Sequence, residues 1–532
     1  MRADVTDDAG RADAGFRSNF RWWLAPALLS LALALLFADP FIGDWDGLDY
    51  TVLALRGQPS SMALGRTLFI FTNHAAYSLA HSLFGLRPEN AYLLFKYMVV
   101  AQSPLAIIAC WRLARDLTRS VETATIAALL ISISPAFVIY SGQVMTDVPS
   151  VLLLTLALIL HLRGLRSRRT WPVLLGAALL GAGANVRETM VFYAPWLIIA
   201  PLLCGWKVRV RREVFIIALS VLLFLAFAFG IFAYLYFMDA GAFRASWYGW
   251  RESMRSESAR HPVTIRNAIP FIAYFFVVAP VVVAALPFAV FKEWRERGFS
   301  LLLALAAMGL WANLLLFFNY STTVNWRYFL TGLPALVPLV AAYLMRVQTR
   351  RMGDARRAFK SLLLLLALVT ITLSLLMRPT NREYIARRAL TKDYGARLKL
   401  LPRDAVVMAG AQTVAVTYWR GIGLGEWEAI GTGGGWPGAQ LTSVIENYLK
   451  GGRRVFIDTD PRWWSPCGWQ REETRALVRL ESHFRFRRTG ETIYEIRPMT
   501  DETANDAPNL QTLLPENRPA EVRKCPALDK LT

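Results

Sequence analysis

Three aspartates fall close together in Gly43-Asp44-Trp45-Asp46-Gly47-Leu48-Asp49-Tyr50. A carboxylate can take the proton from an attacking hydroxyl, which is the work of a general base. Asp46 and Asp49 are spaced for one face of a helix whose apolar stripe is Leu48, Thr51, Val52 and Leu55. The same acids suit a helix N-cap and first turn, although three exceed what capping needs. A second candidate is Asp147, in the turn Tyr140-Ser141-Gly142-Gln143-Val144-Met145-Thr146-Asp147-Val148-Pro149, where it equally suits the cap of a proline-started helix. Asn185-Val186-Arg187-Glu188-Thr189 reads in two ways. Arg187 and Glu188 form an internal ion pair closing a tight hairpin, or Arg187 holds an anion. Arg327, in Asn325-Trp326-Arg327-Tyr328-Phe329 ahead of Pro334 and Pro338, suits either snorkelling beside an aromatic belt or contact with a lipid phosphate. His74 is a substrate contact or a satisfied interfacial histidine.

The elements that must position these groups are apolar. The chain has 532 residues, 55% hydrophobic and 18% charged, a composition of a polytopic membrane protein rather than of a soluble domain or a disordered chain. Its formal charge of +20 is spread in short clusters between apolar runs, so nucleic acid is not the expected partner. Cys110 and Cys204 lie in apolar runs. Cys467 and Cys525 lie in the polar end and can bridge only outside the cytosol. No zinc-type spacing, no serine nucleophile elbow and no P-loop lysine beside Gly431 to Gly438 is present.

About eleven runs approach the roughly 20 apolar residues a bilayer core needs: 22–38, 97–111, 124–140, 148–162, 171–185, 189–204, 214–237, 269–291, 299–318, 328–345 and 361–377. With residues 1–21 as a cytosolic tail, every dense basic cluster falls on the cytosolic side: Arg112/Arg115/Arg119, Arg163 to Arg169, Lys207 to Arg212, Lys292 to Arg297 and Arg346 to Lys360. Counting Thr67 to Phe84 as a crossing would reverse that sidedness, so it is expected as one or two interfacial helices within 39–96. The four candidate segments then share the outer face. The outer loop from Arg244 to Arg260 mixes arginine with Trp247, Tyr248 and Trp250, a pattern of interfacial anchoring. Residues 378–498 alternate short strands and helices, which predicts a small extracytoplasmic α/β domain, and 499–532 reads as a disordered tail. The expected fold class is thus an all-α polytopic membrane protein of about eleven transmembrane helices with a small C-terminal extracytoplasmic α/β domain.

The order of these motifs resembles the GT-C superfamily, and more narrowly bacterial glycosyltransferases of the protein O-mannosyltransferase and lipid A aminoarabinose transferase type. The motifs are Asp46 to Tyr50 followed by Ala54 and Gly57; Tyr140, Ser141 and Asp147; Arg187 to Thr189; and Arg327, Tyr328 and Pro334. The likeness runs over residues 22–377. It implies an enzyme that moves a hexose or pentose, with inversion, from a polyprenyl-phosphate-sugar donor to a glycan, lipid or protein acceptor at the outer face. It implies Asp46 as base, Asp147 holding the acceptor or a divalent metal (Mg or Mn), and Arg187 and Arg327 on the donor phosphate. Asp44, His74, Glu188 and Tyr328 are expected to contact substrate. The family often has two adjacent acids where this chain has Asp46-Gly47, so Asp44 and Asp49 stay open as the base. A transporter or flippase is the alternative, although the chain shows no internal repeat.

Overall fold

Serine and proline decide where the apolar runs break. In the computed structural model the run 124–140 is two helices, because Ser134 accepts the Phe137 amide at 3.5 Å and Pro135 opens a new first turn. The structure describes residues 20–37, 45–59, 65–207, 210–260, 272–273, 275–320, 326–430, 438–464, 477–514 and 517. In chain order the helices are α1 (Phe20–Leu36), α2 (Trp45–Arg56), α3 (Thr67–Phe84), α4 (Ala91–Thr118), α5 (Val121–Ser132), α6 (Pro135–Tyr140), α7 (Asp147–Ser167), α8 (Thr170–Ala184), α9 (Trp196–Leu203) and α10 (Arg211–Met238). They continue with α11 (Ala240–Arg260), α12 (Pro280–Arg297), α13 (Leu301–Tyr320), α14 (Leu333–Met352), α15 (Ala355–Leu398), α16 (Thr413–Gly421) and α17 (Gly438–Lys450). Five strands, β1 (Val406–Met408), β2 (Glu428–Ile430), β3 (Val455–Asp458), β4 (Phe484–Arg488) and β5 (Ile493–Pro498), share one sheet.

The chain divides into two units, the first comprising Met1–Ala38, Gly57–Leu79 and Leu93–Met377, the second Asp39–Arg56, Ala80–Tyr92 and Arg378–Thr532. Five helical segments among the described residues are long and apolar enough to cross a membrane: Pro88–Thr118, Asp147–Ser167, Arg211–Met238, Arg327–Met352 and Ala355–Arg378. Shorter apolar helices accompany them. Thr67–Phe84 forms one helix and is not among either group.

Glycine lets the first unit's helices close on one another. A Cβ on Gly181 of α8 would stand 2.3 Å from the Phe224 carbonyl oxygen of α10, and one on Gly176 would stand 2.7 Å from the His161 amide nitrogen of α7. Gly181→Ala is therefore expected to cost about 1–3 kcal/mol, read as a lower melting temperature in detergent. Gly230→Ala, whose Cβ meets nothing within 4 Å, is the matched control that keeps or raises it.

In the second unit the sheet runs in the order β2-β1-β3-β5-β4, the first three strands parallel and the last two antiparallel. β1, β3 and β5 fall on the short apolar runs of 405–409, 454–458 and 493–496. β2 and β4 were not foreseen. Residues 465–476 lie outside the described residues, and Arg479–Ser482 is a 3-10 turn. The stretch after Pro498, expected to be disordered, folds back over residues 499–514. Asp506 donates its amide to the Phe486 carbonyl at 3.0 Å, and Leu510 and Leu513 are fully buried, which anchors an otherwise polar segment. Cys467, Cys525 and residues 518–532 lie outside the described residues.

Glu495 on β5 is buried among Arg454, Arg487 and Arg497, at 2.6, 2.6 and 3.0 Å. Burial alone pushes its carboxyl upward, but hydrogen bonds from Arg454 and Arg487 and the field of the arginines outweigh it and hold the pKa below the ordinary glutamate value. A lowered native pKa contributes stability above the unfolded value of about 4.3 that disappears as the pH falls through the native one. Limited proteolysis of residues 405–514 is expected to accelerate in acid for the natural chain, with that increment absent in Glu495→Gln.

Candidate functional site

The first unit gathers its charges where three chain turns meet. Asp147 is the first residue of α7, Arg187 is the extended residue that leads into the 3-10 segment Glu188–Tyr193, and Arg327 lies in the 3-10 segment Trp326–Gly332 that leads into α14. Side-chain bonds tie these turns together. Tyr193 donates its hydroxyl to the Thr331 carbonyl at 2.8 Å, and the Thr189 and Thr331 hydroxyls lie 3.1 Å apart. Asn185 donates to the Phe227 and Ala228 carbonyls, while its own carbonyl accepts the Leu68 amide.

Asp147 and Arg187 are each 1% exposed, with Arg187 Nη1 only 2.7 Å from Asp147 Oδ1. The approach lies off the line of a hydrogen bond, so charge holds the pair. Such a pair stays charged on burial because the attraction between the ions offsets part of the desolvation cost that each incurs. Nη1 also donates to the Thr146 hydroxyl at 3.2 Å. Arg187 Nε and Nη2 find no hydrogen-bond acceptor among the described residues. The guanidinium is stacked 4.6 Å from the Tyr328 ring centre, and that of Arg327 is 5.6 Å from the same ring and 6.0 Å from Tyr140. Arg327 Nη1 also approaches the Met145 sulfur at 3.6 Å. Glu188 turns away from Arg187 and pairs with Arg66 at 3.4 Å. Arg66, Arg187 and Arg327 all lie within electrostatic reach of Glu188. Among the described residues, three guanidinium groups thus lie beside two carboxylates.

The structure brings Asp147, Arg187, Glu188, Arg327 and Tyr328 together. Asp147 is enclosed with Arg187 rather than displayed on an open turn, and the expected Arg187–Glu188 pair is replaced by two longer-range ones. His74 of α3 is half-buried, its ring beside Gly57, where an added Cβ would stand 3.0 Å from His74 Cε1. Asp46 and Asp49 are half-buried on α2, which belongs to the second unit and packs on α16, where a Cβ on Gly421 would meet Val52 at 2.7 Å. Asp44 lies outside the described residues. Arg66 and the fully buried Lys96 of α4 were not singled out in the sequence. No local motif marks either.

The family model described as dolichyl-phosphate-mannose-protein mannosyltransferase matches residues 74–232, which carry His74, Asp147, Arg187 and Glu188. No curated protein matches the chain by sequence. Among solved structures, ArnT from Cupriavidus metallidurans bound to undecaprenyl phosphate is similar over 91% of this chain and 98% of its own, with a TM-score of 0.57 at 12% identity. The oligosaccharyltransferase AglB from Archaeoglobus fulgidus, in complex with an inhibitory peptide and a dolichol-phosphate, is similar over 94% of this chain and 78% of its own, with a TM-score of 0.53 at 14% identity. The fold is that of the GT-C superfamily. Arabinofuranosyltransferase AftD from Mycobacteria shares this GT-C fold over 92% of the present chain and 40% of its own, with a TM-score of 0.53 at 16% identity. A metal at Asp147 has no fitting donor set among the described residues. No three His, Cys, Asp or Glu side chains come together, and Asp147 already faces a guanidinium. No step is derived through a metal.

Proposed function

We propose that the chain is an integral membrane glycosyltransferase. It moves a sugar from a polyprenyl-phosphate carrier to a glycan, lipid or protein acceptor at the outer face of a bacterial inner membrane, inverting the anomeric centre. The observation that carries the reading is Arg187, fixed by Asp147 and Tyr328 with Nε and Nη2 still able to donate, beside Arg327 on the same ring. Likeness to ArnT bound to undecaprenyl phosphate and to AglB bound to a dolichol-phosphate supports a lipid-phosphate donor.

The chemistry accounts for the charges. Asp46 takes the acceptor's hydroxyl proton, the acceptor oxygen bonds to the anomeric carbon, and the bond from that carbon to the phosphate oxygen breaks with its electron pair. A phosphodiester with one negative charge becomes a phosphomonoester with two. Arg187 and Arg327 offset the added charge as it develops. Asp147 is a positioning residue, acting through Arg187. Asp49 stands one helical turn from Asp46 as the other candidate base.

The basic ends of two helices support this sidedness. Asp147 opens α7, which ends in Arg163 and Arg166, and Arg327 precedes α14, which ends in Arg346, Arg350 and Arg351. The positive-inside rule puts those ends in the cytosol and the site outside. The test is the purified protein in nanodiscs with a panel of undecaprenyl-phosphate hexoses and pentoses. Acceptor-dependent release of undecaprenyl phosphate is expected. Solute accumulation in proteoliposomes lacking any donor lipid would support the transporter reading instead.

A further inference from the structure

At the other end of the same helices a groove of about 450 Å³ opens between the α4–α5 turn and the ends of α12 and α14. It is within the size range of small-molecule sites. From Arg327 to Arg346 the chain advances nineteen residues, almost all helical, which places the groove roughly 30 Å from the candidate site, about one hydrocarbon thickness. One wall is apolar, built from Leu117, Leu302, Ala342 and Met345, and the rim carries Arg297, Arg346 and Arg350 together with Glu122, whose carboxylate accepts the Ser120 hydroxyl at 2.9 Å.

The floor of this rim is fixed by a buried carboxylate. Glu293 is 0% exposed, accepts Arg346 Nη2 at 2.6 Å and the Ser300 hydroxyl at 2.9 Å, and lies 3.6 Å from Arg297 Nη1. Arg346 also bridges to Glu296 at 2.9 Å, and Arg350 reaches the same carboxylate through one nitrogen at 3.1 Å. Arg346 is thus fully engaged and half-buried. Arg297 and Arg350 are 58% and 66% exposed, each spending one nitrogen on the floor and keeping the rest of a planar fork for an anion. Arg119, in the turn between the lining residues Thr118 and Ser120, adds a further positive charge nearby.

We infer that this groove binds one anionic glycerophospholipid of the leaflet opposite the candidate site, its phosphate held by Arg297 and Arg350 and its first acyl carbons against Leu117, Leu302 and Met345. A free anion would use the rim and leave the apolar wall without purpose, whereas a lipid uses both, and basic pockets between membrane helices suit acidic headgroups. The inference rests on the first unit alone and is independent of glycosyl transfer.

Native mass spectrometry of the full chain in detergent, titrated with phosphatidylglycerol or phosphatidylcholine, tests it. One phosphatidylglycerol retained in preference to phosphatidylcholine is expected, with affinity falling roughly tenfold or more in R297Q/R350Q. T349W, at a lining residue that makes no ion pair, is expected to abolish that retention by filling the groove. Unchanged melting temperatures in neutral detergent show that both variants fold, and T349W carries the test if the arginine variant does not. Equal retention of the two lipids, undiminished retention in the folded variants, or displacement of the lipid by millimolar inorganic phosphate would each overturn the assignment.

Discussion

Asp46→Asn is expected to lower sugar transfer by about 10²–10⁴-fold, the range that one positioned general base supplies. The substitution keeps shape and hydrogen-bonding capacity and removes only the basic charge. Asp46 stands in the first turn of a helix whose buried apolar face is Leu48, Val52, Leu53 and Ala54, and the substitution leaves that face unchanged. Loss of a favourable interaction with the helix N-terminus costs about 0.3–1 kcal/mol. The melting temperature should therefore barely move while turnover collapses and the acid limb of the pH–rate profile disappears. Asp49→Asn is the paired measurement. A collapse there, with Asp46→Asn active, moves the base by one helical turn; full activity in both removes α2 from the chemistry.

Asp147→Ala is expected to have the larger effect on folding. It strands Arg187 inside the protein with its Thr146 contact and the Tyr328 ring, and breaking a buried pair from one side typically costs about 3–5 kcal/mol. Replacing both partners by apolar groups of similar volume, in Asp147→Leu with Arg187→Met, removes the charges together and should restore much of the melting temperature. Activity should not return. The double variant lacks the guanidinium that offsets charge on the departing phosphate, so kcat falls with the fold intact. A folded double variant with unimpaired turnover would reduce Arg187 to a structural role.

Much of this was legible in the sequence, and the exceptions have physical reasons. The turns that carry Asp147, Arg187 and Arg327 stand out because polar groups interrupt apolar runs, and each holds its place in the site. Their partners were harder to read. Arg187 has an extended backbone, with φ −152° and ψ 121°, so its side chain and that of Glu188 point to opposite sides and find partners 40 and 122 residues away. Arg66 and Lys96 gave no signal, since their roles arise from packing between distant segments. β4 carries the alternation Phe484-Arg485-Phe486-Arg487, a half-buried strand pattern obscured by its basic charge. α2 packs on α16 through Val52 and Gly421, a contact between distant segments that no local pattern marks.

The Asp147–Arg187 contact also bears on how the chain enters its membrane. Both ions belong to one helical hairpin, α7 and α8 with the turn that follows, so they emerge from the ribosome close in time. Near the helix ends where they sit, each alone would carry only part of the about 2.5–3.5 kcal/mol that such a charge costs at mid-helix depth. Neutralised as a couple, the hairpin can leave the translocon as one electrically silent package, before the rest of the polytopic bundle has been synthesised to receive it.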